Sequence, residues 1–159
     1  MRIEKKIGRL LLERRQTLAV AESCTGGLAG HLVTSVAGSS RYFEGGIIAY
    51  SNRIKVERLG VDEDVLRREG AVSEAVAGQM AREVRNRFGA DFGIGVTGVA
   101  GPGGGSDDKP VGTVFIALAD QSTVLSRQYR LRGSRAVVKR EAARTALEVL
   151  RDYLNQQGA

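Results

Sequence analysis

The most chemically loaded stretch of this sequence is Glu22-Ser-Cys-Thr-Gly-Gly27. A serine followed by glycines, where a strand runs into a helix, can act as a nucleophile. The free main-chain amides of that turn can then serve as an oxyanion hole. The same residues also make an ordinary helix start, with Ser23 or Thr25 as the cap and the glycines as the turn. Cys24 is a second nucleophile by type, though a lone cysteine is more often a small buried hydrophobe. The chain has one histidine, His31, inside the helix that follows, so a Ser–His–Asp arrangement is disfavoured and lysine is the most available base. Lys55, at the end of Tyr50-Ser-Asn-Arg-Ile-Lys55, reads as a surface lysine by spacing alone. If buried, it loses its proton more easily, and the neutral amine can take a serine proton.

A third segment, Gly98–Pro110, is glycine-rich but matches neither a P-loop nor a dinucleotide fingerprint. Its Asp107 and Asp108 are adjacent and point apart in an extended chain, which makes a weak magnesium site or a loop tip. One cysteine and one histidine fall short of the three or four ligands of a zinc site, so neither metal nor cofactor is expected. Lys and Arg number 24 against 18 Asp and Glu, for a net charge of +6. Eight basic residues between Arg127 and Arg151 face only Glu141 and Glu148. This cluster suits a phosphate pocket, a nucleic-acid face or a solvated helix surface. With no Trp, four Tyr and four Phe, stacking platforms for single strands are scarce.

The elements that must position these residues follow from periodicity. At 159 residues the chain has one domain's length, 1–159, and can bury a core without staples. Helical stripes predict helices over 3–15, from the Gly26-Gly27 turn to about Val36, over 62–70, from Ser73 to Gly89, and over about 134–153, with a short one after Ser51-Asn52. Strands are predicted at 17–21, 46–50, 91–97, 111–119 and 123–131, the last two forming a hairpin across Asp120-Gln-Ser122. Strands alternating with helices imply parallel pairing, and the hairpin adds antiparallel strands. The expected fold is a three-layer α/β/α sandwich around a mixed, mostly parallel five-stranded sheet. In such folds ligands bind outside the carboxyl ends of the strands. There Glu22–Gly27, Tyr50–Lys55 and Thr97–Ser106 would meet. No apolar run approaches the roughly 20 residues of a membrane span, and the start is not a signal peptide, so a cytoplasmic protein is expected.

Six ordered blocks then carry a resemblance: Ala21-Glu-Ser-Cys-Thr-Gly-Gly27, Ala37-Gly-Ser-Ser40, Tyr50-Ser-Asn52, Gly70-Ala-Val-Ser-Glu74, Thr97-Gly-Val-Ala-Gly-Pro102 and Lys109-Pro-Val-Gly-Thr-Val114. Together they closely resemble the CinA C-terminal domain family, also known as PncC or nicotinamide-nucleotide amidohydrolase, from about residue 5 to 155. The resemblance implies deamidation of nicotinamide mononucleotide (NMN) to nicotinate mononucleotide and ammonia. It implies the stand-alone form, without the pyrophosphatase domain that some relatives carry. It maps the family's catalytic serine, tyrosine and lysine onto Ser23, Tyr50 and Lys55. Around them it implies an oxyanion and substrate-binding set of Glu22, Cys24, Thr25, Gly26, Gly27, Ser40, Thr97 and Gly98. A phosphate-binding basic residue is expected among Arg135, Lys139 and Arg140. A homodimer is a family-level expectation; nucleic acid and membrane are not expected partners. The competing expectation is a non-enzymatic, basic nucleotide- or nucleic-acid-binding accessory protein linked to competence or DNA damage.

Overall fold

The computed structural model describes residues 1–157. Helix α1 (Ile3–Arg14) leads to β1 (Leu18–Glu22), α2 (Leu28–Thr34) and β2 (Phe43–Ile48). The short α3 (Asn52–Ile54) continues into a π-helical turn, Lys55–Leu59. Then come α4 (Glu63–Glu69), α5 (Glu74–Phe88), β3 (Phe92–Gly98), β4 (Thr113–Ala119), β5 (Val124–Arg130) and α6 (Arg135–Gln157).

The five strands form one sheet in the order β2-β1-β3-β4-β5. Strand β1 pairs in parallel with β2 and β3, while β3–β4 and β4–β5 are antiparallel. Helices cover both faces, as the sequence predicts. On one side α1, α2 and α6 close over Val20, Ile94, Val96 and Ile116. On the other, α5 lies across β3 and β4, and the segment from α3 to α4 completes the layer.

Two sequence features explain the second layer. Ser73 caps α5 by accepting a bond from Val76 N, and Gly89 ends it with left-handed dihedrals. Gly93 and Gly95 of β3 face that helix. A Cβ on them would lie 2.0 Å from Ala81 O and 2.4 Å from Ala77 O, so only glycine lets α5 sit this close. Strand β2 starts three residues earlier than predicted, because Gly45 and Gly46 hide its pattern. Both fit a tight seam, under Phe88 and against Val20 respectively.

Because β1, β2 and β3 run the same way, their carboxyl ends share one edge of the sheet. Ser23, Tyr50 and Gly98 all lie at that edge. Ser40 does not: it sits in the exposed 3-10 turn Ser39–Arg41 that precedes β2. Six residues of strand, about 20 Å, separate it from the other end. The expectation that Ser40 belongs to the site is therefore corrected.

Candidate active site

Ser23 continues β1 into the turn and is clamped from both neighbouring strands. Its own amide donates to Val96 O at 2.9 Å, and Ala49 N donates to Glu22 O at 2.8 Å. Side chains of β1 alternate, so Val20 and Glu22 face α2, while Ala19 and Ala21 face the α5 layer.

Lys55 reaches Ser23 from the second layer. It is 1% exposed, and its Nζ lies 2.9 Å from Ser23 Oγ, 2.8 Å from Ala49 O and 3.1 Å from Tyr50 O. Ser51 caps the helical turn that carries it, and the wider π turn begins at Lys55 itself. Such turns recur at functional sites. Burial pushes the Lys55 ammonium down to about 8; the neighbouring Cys24 acts in the opposite direction. Three acceptors match the three protons of the charged form. The neutral amine has two, enough for the two carbonyls, and turns its lone pair to the Ser23 hydroxyl. This is the geometry of a nucleophile and its base.

Cys24 borders the cleft beside Ser23, but its thiol is not the activated group. It is buried among apolar side chains of the α6 layer, and burial pushes its thiol up to about 11. A thiol held protonated is a poor nucleophile.

The turn itself differs from expectation in its donors. Gly27 N gives its proton to Glu22 Oε2 at 3.1 Å, and Gly26 N to Ser23 O at 3.1 Å. Neither amide is left to meet an oxyanion. Among the described residues, the amides of Cys24 and Thr25 have no acceptor in another residue. Thr25 Oγ1 also donates to Glu22, at 2.5 Å. Glu22 is therefore not a lining residue of the cleft but the acceptor that ties this turn together.

A cleft of about 320 Å³ opens over Ser23 and Lys55. Ala71 and Val72 form one wall and Val99–Gly101, Gly103 and Gly104 another, with Asn52, Tyr50 and Arg135 at its border. Thr97 and Gly98 line it too. Thr97 Oγ1 donates to Ala71 O at 2.8 Å, bracing the wall from the end of β3. The Tyr50 side chain is 61% exposed, and its phenol oxygen accepts from Arg135 Nη2 at 3.2 Å. Only its main chain touches Lys55, so a proton relay through the phenol has no hydrogen-bonded path among the described residues.

Of the three basic candidates, Arg135 lines the cleft and Lys139 lies beside the Gly26 turn. Arg135 also donates to Gly101 O at 2.8 Å. Lys139 lies one helical turn on, its Nζ 3.6 Å from where a Cβ on Gly26 would sit. Arg140 is rotated about 100° from Lys139 around α6. It faces instead a groove beside α1, with Arg2, Lys6 and Arg144, and is corrected out of the site. Asp107 and Asp108 are exposed and lie outside the cleft lining, and His31 is exposed on α2.

Sequence reasoning missed Asn52, Ala71 and Val72. The block Gly70-Ala-Val-Ser-Glu74 held the signal, but as a helix stop and cap it needed no further role.

Comparison with known proteins gives a consistent answer. A family model described as the CinA C-terminal domain matches residues 1–154. A CinA-like protein of Thermosynechococcus vestitus is 52% identical over 151 residues, covering 93% of this chain and 36% of that one. The chain thus spans little more than a third of the curated relatives it matches. Among solved structures, the competence/damage inducible protein CihA of Agrobacterium tumefaciens superimposes with a TM-score of 0.90 at 40% identity, covering 96% of this chain and 95% of that one. The competence damage-inducible protein A of Klebsiella pneumoniae gives 0.93 at 32% identity, with 96% and 95% covered. The sheet order, the helices on both faces and these matches agree: the chain belongs to the CinA C-terminal domain family.

Proposed function

We propose that this chain is an amidohydrolase that converts NMN to nicotinate mononucleotide and ammonia through an acyl-enzyme on Ser23. The observation that carries this reading is the buried Lys55 Nζ, 2.9 Å from Ser23 Oγ and with a depressed pKa.

Ser23 Oγ attacks the carboxamide carbon as its proton passes to the neutral Lys55. The carbonyl electrons move onto oxygen, where the Cys24 and Thr25 amides donate to the new oxyanion. Collapse of this intermediate breaks the C–N bond. Lys55 gives its proton to the leaving nitrogen, and ammonia departs. A water then attacks the ester, whose nicotinoyl ring still carries the ribose phosphate; Lys55 takes the water's proton and returns one to Ser23, and nicotinate mononucleotide leaves. The pyridinium charge helps twice. It withdraws electrons from the amide, and it disfavours the protonated form of the nearby lysine.

Electrostatics support an anionic substrate. No Asp or Glu lines the cleft, whereas Lys55 and Arg135 do. The start of the 23-residue α6, with Arg135 and Lys139 one turn apart, suits the 5′-phosphate. The competing reading, a basic accessory protein that binds nucleic acid without catalysis, draws on the groove where Arg2, Lys6, Arg140 and Arg144 gather. It leaves the burial of Lys55 against Ser23 without a purpose.

Ammonia release from NMN by the purified protein, with Ser23→Ala as control, tests the proposal. Stoichiometric ammonia and nicotinate mononucleotide are expected from the wild type alone. Equal, background release by both proteins would remove the enzymatic reading.

A further inference from the structure

Glu22 stands next to the nucleophile in sequence, yet its side chain is 1% exposed and points away from the cleft, toward α2. It makes four hydrogen bonds to one short segment. Its Oε2 accepts from Thr25 Oγ1 at 2.5 Å, Gly27 N at 3.1 Å and Ala29 N at 3.0 Å; its Oε1 accepts from Gly30 N at 2.8 Å.

That segment needs an anchor. Gly26 and Gly27 both have positive φ, and two successive glycines give the turn wide freedom. Its own main-chain bonds are long, 3.1 Å from Gly26 N to Ser23 O and 3.2 Å from Leu28 N to Thr25 O. Gly27, at the cap position of α2, has no side chain to satisfy the first amides of that helix. A buried carboxylate that gathers a hydroxyl and three amides supplies the missing cap from the preceding strand.

We infer that Glu22 is a positioning residue for the nucleophile. Its carboxylate acts as an internal anion that fixes the 23–27 turn, and so sets where Ser23 Oγ and the Cys24 and Thr25 amides stand relative to Lys55. The inference rests on Ser23 and Lys55 being the reacting pair. It is a mechanical role rather than an electrostatic one. Glu22 and Lys55 lie on opposite sides of β1, and the contacts of Lys55 Nζ are Ser23 Oγ and the carbonyls of Ala49 and Tyr50, not Glu22.

Three variants test it. Glu22→Gln keeps the shape but turns an NH2 group toward one of the donors. Thr25→Val removes one donor, and Thr25→Ser keeps it. Each is checked for folding by circular dichroism and thermal unfolding. Two rates are then measured: NMN turnover across pH, and covalent labelling of Ser23 by a fluorophosphonate, which needs no knowledge of the substrate. Glu22→Gln is expected to lower kcat and the labelling rate about 10- to 100-fold, the cost of a misplacement near 1 Å. KM is expected to stay within about twofold and the alkaline-rising limb of the pH profile to stay in place. Thr25→Val should lose less in the same direction, and Thr25→Ser, which keeps the hydroxyl, should lose less than Thr25→Val. A folded Glu22→Gln protein that labels at the wild-type rate would overturn the inference. So would a loss confined to KM, or a pH limb displaced by a unit, which would make Glu22 an electrostatic partner of Lys55. If Glu22→Gln does not fold, the two Thr25 variants decide by the same criteria. Slowed labelling in a protein that leaves NMN intact would keep the inference and reject the substrate.

Discussion

The turn into α2 and the start of α6 border the same cleft, but their polar groups meet different fates. At α2 the donors are spent inside the protein: Thr25 Oγ1 and the amides of Gly27, Ala29 and Gly30 all end on Glu22. Ser23 and Lys55 beside them are buried. At α6 the cation Arg135 is exposed and held only at the rim, by Gly101 O and the Tyr50 phenol. Lys139 follows one turn later. The first arrangement ties the turn to one buried carboxylate. The second offers charge to a ligand while keeping side-chain freedom. On the proposed reading, bond breaking falls to the α2 end and substrate holding to the α6 end, so substitutions at the two ends should separate in kcat and KM.

The largest effect is expected from Ser23→Ala. Removing the proposed nucleophile should reduce turnover by about 10⁴-fold or more, with folding intact. Mass spectrometry of a quenched wild-type reaction should find Ser23 esterified by the nicotinoyl group with its ribose phosphate still attached. An adduct on Cys24, or an inactive Cys24→Ala beside an active Ser23→Ala, would reverse the assignment.

The next largest concerns Lys55, whose neutral form is the proposed base. The ammonium is held down to about 8 by burial, below its ordinary range. Activity should therefore rise with pH through the region near 8 and level off above it, as read from kcat/KM for the free enzyme. Lys55→Met should abolish the limb and lower kcat about 10²- to 10⁴-fold. The same shift acts on stability. The folded pKa lies below the unfolded one, so between about 8 and 10 the unfolded chain holds the extra proton. Lys55 therefore adds stability as pH rises through that window. An activity limb centred near 6, with none near 8, would show that another group is the base.

How far these parts could be read from the sequence depends on what carries them. Helix and strand periodicity and caps such as Ser73 and Asp62 are local, so element order and sheet class were legible. Lys55 was not, because its burial depends on β2 bringing a turn back over Ser23 from 32 residues away. The resemblance, not the spacing, marked it. The role of Glu22 was hidden for a different reason. A motif displays Glu22 and Ser23 side by side, whereas a strand sends them to opposite faces. Ser40 and Arg140 mislead in the same way: one lies at the wrong end of a parallel strand, the other on the wrong side of a helix.

At the α6 end, Arg135→Gln or Lys139→Gln should act on binding. A charge-assisted bond to phosphate is worth on the order of 1.5–3 kcal/mol, or about 10- to 150-fold in affinity. The loss should appear in KM for NMN and vanish for nicotinamide riboside, which has no phosphate to hold. Equal kcat/KM for NMN and the riboside in the wild type would return both side chains to the solvated surface and erase the division between the two ends.

The smallest effect is expected from Arg140→Gln, and its smallness is what sharpens the comparison. Arg140 adjoins Lys139 in sequence and carries the same charge, so a field spread over the whole basic cluster would make the two nearly equal. The geometry makes them unequal. Lys139 reaches toward Gly26, while Arg140 turns about 100° away into the groove beside α1. At 0.15 M salt, charges separated by more than about 8 Å are largely screened. Arg140→Gln should therefore change KM for NMN by less than twofold where Lys139→Gln changes it about tenfold or more. Repeating both at roughly 0.01 M salt, where the screening length grows to about 30 Å, should bring out a small long-range share for Arg140. Equal losses at both salt concentrations would mean that the α6 end works as a diffuse cationic surface rather than through side chains aimed at one phosphate.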